Sequence, residues 1–169
     1  VIFDGAIETD GGVDDTLTIT SGQGPVTFTG KIGATEQVAG LNVNASAGDG
    51  IITFTGDDTS RSAHPVVSVR LRDGASAALV EWHQAAVGLS APLMSIDIGV
   101  KARLDYAKVQ QDSTTSTHVA ATGLRLGEGS VFDGFQMSTG GQLARLETHV
   151  TLSGENADCT LSAVYLGRA

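Results

Sequence analysis

The stretch Leu124-Arg125-Leu126-Gly127-Glu128-Gly129-Ser130-Val131-Phe132 joins a short alternating strand, a turn with a small residue and the start of a second alternating strand. This unit occurs four times after residue 66. The small turn residues are spaced by 27, 28 and 27 positions: Ala75, Ala102, Ser130 and Ala157. Alternation at period 2 indicates strands with one buried face, and a repeat of this length without a helical period is typical of one coil of a β-solenoid.

Stacking of the coils should place equivalent residues above one another. The apolar residues of the first strands should form an internal ladder: Leu71, Ile98, Leu126 and Leu152. The residues between them should face water, with charges that alternate in sign: Arg70, Asp97 and Arg125. The second strands should contribute another internal ladder: Ala77, Leu104, Phe132 and Cys159. The fold class predicted is therefore all-β, a single-stranded right-handed parallel β-helix of about six coils.

The first sixty residues repeat in a different style. Phe3, Phe28 and Phe54 are spaced by 25 and 26 residues, and Leu17 and Leu41 by 24. Residues 1–60 hold nine acidic residues and one basic residue, whereas residues 61–169 hold ten and nine. We predict one continuous solenoid in which residues 1–60 form acidic, Thr/Gly-rich, cap-like coils and residues 61–169 form the remaining coils.

Composition argues against several classes of partner. The net charge of −9 repels phosphate backbones and anionic lipid surfaces, so neither nucleic acid nor membrane is an expected partner. The single cysteine, Cys159, allows no intramolecular disulfide. No apolar run approaches the ~20 residues that span a bilayer. Because the sequence opens at Val1 instead of a methionine, we expect a processed chain or a fragment.

The later coils resemble a known family in several segments. The quoted matches are Ala102-Arg103-Leu104-Asp105-Tyr106-Ala107-Lys108-Val109-Gln110-Gln111, Ala78-Leu79-Val80-Glu81-Trp82-His83, Gly140-Gly141-Gln142-Leu143-Ala144-Arg145 and Leu152-Ser153-Gly154-Glu155-Asn156-Ala157-Asp158-Cys159-Thr160-Leu161. Together they make His64 to Ala169 similar to the SufB/SufD iron–sulfur cluster assembly family, and to SufD more than to SufB. The resemblance implies a cytoplasmic, non-enzymatic β-helix scaffold that pairs with a SufB-like partner and docks a SufC-like ATPase.

The chain departs from that family at both ends. It lacks the helical region that precedes the family's β-helix, and it stops where the family continues into further strands and a helical segment. We therefore expect a truncated or hybrid protein with weakened partner contacts and doubtful native activity. Residues 1–60 resemble the repeats of bacterial surface adhesins, so the alternative function is an extracellular structural solenoid. The composite suggests a recombined or engineered chimera, with its junction near Ser60.

Candidate chemistry is sparse. The four histidines, His64, His83, His118 and His149, do not follow the coil period, so they are interpreted as ordinary surface or turn residues and not as a metal site. Cys159 is the one candidate cofactor-binding residue, by way of the family, although its slot points to the interior, where a free cysteine acts as a small hydrophobe. No cofactor and no catalytic residue is predicted.

Other sequence patterns give weaker indications of function. Asp10-Gly11-Gly12-Val13-Asp14-Asp15 and Asp49-Gly50 are similar to calcium-binding turns but lack the nine-residue repeat that would stack them. Trp82 is expected to cover a coil edge. A carbohydrate-cleaving β-helix enzyme ranks last because acidic and basic residues are scattered. The last coil has no cap, which predicts association through its edge, as a homodimer.

Overall fold

The computed structural model describes residues 2–4, 16–23, 26–29, 40–56, 62–64, 66–85 and 88–167. Within these ranges the chain forms 14 strands and no helix. The strands are β1 (Ile2–Asp4), β2 (Thr16–Gln23), β3 (Val26–Thr29), β4 (Gly40–Gly56), β5 (Ser62–Ala63), β6 (Val66–Leu71), β7 (Ser76–Ala85), β8 (Gly88–Ser90), β9 (Leu93–Ile98), β10 (Arg103–Gln110), β11 (Ser116–Leu126), β12 (Val131–Ser138), β13 (Leu143–Leu152) and β14 (Asp158–Tyr165). In this part of the chain there is accordingly no helix of a length and hydrophobicity that could cross a membrane.

The strands stack into two parallel sheets. Sheet 1 has the order β2-β4-β6-β9-β11-β13, and in addition β8 pairs with β11 and β5 pairs with β8. Sheet 2 has the order β1-β3-β4-β7-β10-β12-β14. Successive strands of each sheet lie about one coil apart in sequence, and the long strand β4 belongs to both sheets. The predicted all-β parallel solenoid is confirmed.

The solenoid has about four turns, so the expected count of about six coils is slightly too high. Four turns, β6 to β7, β9 to β10, β11 to β12 and β13 to β14, have a strand in each sheet and the connecting turn described. The strands before β6 pair with these sheets but include short pieces separated by residues outside the described ranges. The Thr/Gly-rich repeats of residues 1–60 predicted more complete coils than the described strands form.

The turns between the two sheets form the predicted column. Ala75 O accepts a hydrogen bond from Arg103 N at 2.8 Å, and Ala102 O accepts one from Val131 N at 2.9 Å. Ser130 O accepts one from Asp158 N at 2.9 Å, so each small turn residue lies one coil above the last. The residue before each of them has a positive φ: Gly74 (69°), Lys101 (55°), Gly129 (59°) and Asn156 (57°). One left-handed residue per coil therefore turns the chain from sheet 1 to sheet 2.

The internal ladder of sheet 1 is also confirmed. Leu71, Ile98, Leu126 and Leu152 are register partners in succession. The first three are 2%, 1% and 0% exposed, whereas Leu152 is 57% exposed. Each coil is covered by the next, and among the described strands none covers Leu152. Position in the stack, and not the residue type, thus decides burial here.

The outer face of sheet 1 carries the predicted ladder of alternating charge. Arg70, Asp97 and Arg125 are partners in register. Arg70 Nε lies 3.6 Å from Asp97 Oδ2, while Arg125 Nε donates a hydrogen bond to Ser153 Oγ at 3.1 Å. Because both side chains of the first pair are well exposed, the ion pair contributes at most about 1 kcal/mol.

The register of the early strands corrects one expected alignment. Phe3 pairs with Phe28, and Leu17 with Leu41, as the spacing predicted. Val26, however, pairs with Gly50, which sets a period of 24 residues and places Phe28 level with position 52 instead of Phe54. Between these coils, sheet 1 and sheet 2 have the same period of 24 residues. The acidic turn at residues 10–15 lies outside the described ranges.

Candidate functional site

The solenoid interior changes from apolar to ionisable along the strands of sheet 2. Leu79, an interior residue of β7, is 6% exposed and belongs to the hydrophobic core. The next interior positions of the same strand are Glu81, 0% exposed, and His83, 1% exposed. Lys108 of β10, the register partner of Glu81, is 1% exposed. A carboxylate, an imidazole and an ammonium group therefore lie inside the coil stack, where charged groups need partners.

Glu81 is the centre of this buried group. Its Oε1 lies 3.1 Å from Lys108 Nζ and 2.5 Å from His83 Nε2. Its Oε2 accepts a hydrogen bond from the hydroxyl of Tyr106, which stands on β10 one interior position before Lys108. Both carboxylate oxygens are thus engaged, and among the described residues the full positive charge in contact with them is that of Lys108.

The electrostatics of the group follow from these contacts. Burial raises the pKa of Glu81, but the charge of Lys108, the interaction with His83 and the hydrogen bond from Tyr106 outweigh it and hold that pKa well below its usual range. Burial lowers the pKa of His83 more than Glu81 raises it, which favours a neutral imidazole. Burial and the neighbouring Glu81 raise the pKa of the Tyr106 hydroxyl. The group therefore holds one carboxylate–ammonium pair beside two neutral hydrogen-bonding rings.

A second polar group lies next to the first. Asp112 Oδ2 lies 2.8 Å from Nδ1 of His118, and both side chains are 0% exposed. The same oxygen accepts a hydrogen bond from Gln110 Nε2 at 2.9 Å, and Gln110 Oε1 accepts one from Ser138 Oγ at 2.7 Å. Gln110 and Ser138 are interior positions of β10 and β12, so this group continues the polar half of the interior along sheet 2.

The two polar groups meet at their histidines. The rings of His83 on β7 and His118 on β11 are 4.8 Å apart between centroids, at 69° to one another, in an edge arrangement. Nε2 of His118 has no hydrogen-bond partner within the described residues. No set of three or more His, Cys, Asp and Glu side chains in that part of the chain is arranged to hold a metal ion. The cluster can hold charges and protons, and it ties sheet 1 to sheet 2.

The structure corrects the interpretation of two histidines. His64 and His149 are exposed, as expected of surface residues. His83 and His118 are not surface or turn residues, because both are buried between the sheets and contact each other. The coil period concealed this proximity, since the two residues lie on different strands that face one another across the interior.

Sequence reasoning also missed Glu81 and Lys108 as buried residues. A signal for both was present. The interior ladder of the second strands runs through Ala77 and Leu104, and alternation from these positions reaches Glu81 and Lys108 four residues later. Charged residues at interior positions of neighbouring coils are directly opposite in register, so their opposite signs predict a buried pair.

The other candidate region is the uncovered last coil. Interior-facing positions of β13 and β14 are open to solvent: Val150 (42%), Leu152 (57%), Leu161 (42%) and Tyr165 (58%). No described strand pairs with the outer edge of β13 or β14. The result is an apolar surface bordered by unpaired backbone groups, which is the usual feature of an edge that binds another strand.

Cys159 lies on this last coil. It is the register partner of Phe132 and packs against the hydrophobic core, as predicted for an interior slot, but it is partly exposed because no described coil covers it. Burial, followed by the charge of Asp158, raises the pKa of its thiol. Thiol and not thiolate is therefore the resting form near neutral pH.

Comparison with known proteins gave one family. Residues 53–169 match the SufBD core domain of the SUF system of FeS cluster assembly. Neither a search of curated proteins nor a search of solved structures gave a significant match. The match covers more than half of the chain and includes both the buried polar groups and the uncovered last coil.

Proposed function

Because the chain belongs to the SufBD core family of the iron–sulfur cluster assembly system, we propose that it serves cluster assembly as a non-enzymatic scaffold. Its proposed role is to dock other components of the system, and the family resemblance supports the cytoplasm as the compartment. The support for docking is the uncovered last coil, whose apolar interior positions are exposed while those of the coils beneath it are buried. A surface of this kind is expected to be covered in the working assembly.

The proposed partners are a SufB-like and a SufC-like protein, with a second copy of this chain as the alternative occupant of the edge. β14 offers eight residues, all exposed except Cys159, for addition of a strand. A strand from a partner would satisfy the free backbone groups of β14 and bury Leu161 and Tyr165. Backbone pairing supplies affinity, and the side chains of the last coil supply selectivity.

Cys159 is proposed as a contact to the cluster that is being assembled. It is the only thiol of the chain and lies at the edge where a partner would dock. One thiol cannot hold a cluster by itself, and its raised pKa disfavours the thiolate that binds iron. Under this proposal the partner supplies the remaining ligands and the positive charge that would lower this pKa.

Residues 1–60 are proposed to act as a cap-like unit for the first family coil. This proposal is supported by the family match, which begins at residue 53, and by the pairing of β4 with β6 and β7. Pairing of this kind covers the backbone edge of the first family coil, and solenoids need such protection at their ends.

The docking proposal is tested by co-purification of the chain with SufB-like and SufC-like proteins, with Leu152→Asp as the test variant. Leu93→Asp is the matched control, because Leu93 is 49% exposed on the outer side of sheet 1 while Leu152 is 57% exposed on the uncovered coil. Loss of partner binding in L152D alone supports the proposal. Equal binding by both variants and the unchanged chain contradicts it. Analytical ultracentrifugation of the same proteins alone measures the homodimer.

A further inference from the structure

The outer faces of both sheets carry exposed apolar side chains. On sheet 1 one outward row is apolar over the first three described coils (Val66, Leu93 and Ala121), and the rows beside it hold Ser68, Ser95 and Gly123, then Arg70, Asp97 and Arg125. On sheet 2 two adjacent outward rows are almost entirely apolar. One row is Val80, Ala107, Phe135 and Ser162, and the other is Trp82, Val109, Met137 and Val164. An outer sheet face in contact with water is normally polar, so these two rows require a separate explanation.

These side chains point away from the interior. Each lies between interior residues of the same strand: Trp82 between Glu81 and His83, and Phe135 between Gly134 and Gln136. Phe135 is 40% exposed and Val164 is 41% exposed, Ser162 is also exposed, and the other five are partly exposed. The apolar rows are therefore not part of the core, and we call these eight positions the outer apolar face.

The outer apolar face has an acidic border. The adjacent outward row contains Asp105 and Asp133 as register partners, and Asp158 is the register partner of Val131 at the start of β14. Arg103, which is bonded to Asp105 at 2.6 Å, is the one base at the outward positions of β7, β10, β12 and β14. On the opposite side of the face the corresponding residues, Gln84 and Thr139 among them, carry no charge.

From this arrangement we infer that the outer apolar face is a docking site for an amphipathic helix with lysine or arginine along one flank. The apolar stripe of the helix packs against the two rows, and its basic flank meets Asp105 and Asp133. Three strand spacings of about 4.8 Å separate β7 from β14, so the face is about 14 Å long and accommodates roughly ten helical residues.

Other occupants fit less well. A β-strand cannot add to this face, because the backbones of β7, β10 and β12 are already paired on both edges. A second copy of the chain would bring its own Asp105 and Asp133 against the same acidic border, and like charges in a docked interface are costly. A basic helix satisfies both the apolar rows and the border.

Trp82 makes the inference directly measurable, because it is the only tryptophan of the chain and belongs to the face. The tryptophan-free peptide (LKKLLKL)₂, amphipathic and basic, is titrated into the full chain and the emission of Trp82 is followed, with calorimetry as the second readout. We expect a saturable blue shift, and none with the acidic peptide (LEELLEL)₂. A blue shift of equal size with both peptides would show binding without charge preference and would overturn the inference.

Two variants distinguish binding of the peptide to this face from general attraction of a basic peptide to an acidic protein. Phe135→Lys places a charge in the centre of the face and should weaken binding of the basic peptide about tenfold. Val119→Lys is the control, because Val119 is 39% exposed on the outer side of sheet 1 and the charge change is the same. Should F135K bind as the unchanged chain does, or V119K weaken equally, the inference fails. If circular dichroism shows F135K unfolded, Met137→Gln replaces it with the same expectation.

Discussion

Lys108 Nζ lies 3.1 Å from Glu81 Oε1 between neighbouring strands of one sheet, and the two side chains are 2% and 0% exposed. Glu81 and Lys108 are register partners on β7 and β10, which belong to successive coils. The ion pair therefore links two turns of the solenoid through their interior. Loss of either partner would leave the other charge buried without compensation.

Lys108→Met should therefore destabilise the fold by about 3–5 kcal/mol in urea or guanidinium unfolding, because Glu81 stays buried without its cation. The double variant E81Q/K108M should be more stable than K108M, since an amide keeps hydrogen-bonding capacity toward Tyr106 and His83 without a charge. Lys101→Met, at an exposed turn, is the control and should change stability by no more than about 0.5 kcal/mol. If the double variant is destabilised by the sum of the effects of E81Q and K108M measured separately, the pairing is contradicted.

The stability of the fold should depend on pH in three steps whose signs follow from the buried group. His83 has a folded pKa below 6.5 and Glu81 one below 4.5, so each contributes stability that is complete above its unfolded pKa and is lost as the pH falls. Tyr106 has a folded pKa above 10.0, so its contribution is complete below that pH and is lost as the pH rises. Stability should be greatest between 6.5 and 10.0.

Thermal unfolding as a function of pH measures the loss of stability on the acid limb and on the alkaline limb of the pH profile. Two variants show which residue causes each loss. His83→Gln should remove the decline that begins just below 6.5, and Tyr106→Phe should remove the alkaline limb. An alkaline limb that persists in Y106F would show that another group causes it.

Substitution by alanine should reduce the free energy of unfolding by different amounts at two glycines. At Gly74, with φ of 69°, an added Cβ meets nothing within 4 Å, so Gly74→Ala should lose only the conformational term of about 1–2 kcal/mol. At Gly140 an added Cβ would lie 1.9 Å from the backbone oxygen of Asp112, so Gly140→Ala must displace the backbone and should lose about 3 kcal/mol or more. Chemical denaturation ranks the two, and the reverse order would contradict the packing described.

The thiol of Cys159 should react slowly at neutral pH. Burial and the charge of Asp158 raise its pKa, so the thiolate fraction is small, and the rate with a disulfide reagent should rise steeply as the pH increases. Asp158→Asn removes the second of these causes and should raise the rate at pH 7.5 about twofold or more. As the chain has one cysteine, the absorbance change reports this site alone. A rate that does not change in D158N would leave burial as the whole cause.

The sequence predicted the repeat correctly because repetition at a fixed spacing is local information. Ala75, Ala102 and Ser130 follow one another at nearly equal intervals, and parallel stacking then requires that they form a column. The ladder of Leu71, Ile98 and Leu126 follows from the same argument. The number of coils was overestimated, because similar strands do not reveal how many complete turns they make.

Only part of the buried polar cluster could be predicted from the sequence. The positions of Glu81 and Lys108 follow from alternation along β7 and β10, and their opposition follows from the coil spacing. Contact between His83 and His118 does not, because the two lie on opposite sheets and their meeting depends on how the cross-section of each coil closes.

What the sequence determined by itself is the stacking period, the turn positions and the face of each strand that points inward, all of which arise from spacing along the chain. The tertiary structure alone decided which inward residues touch across the interior, and that the outer face of sheet 2 is apolar over several coils. Both depend on distances between strands that are remote in sequence, and a one-dimensional pattern does not contain those distances.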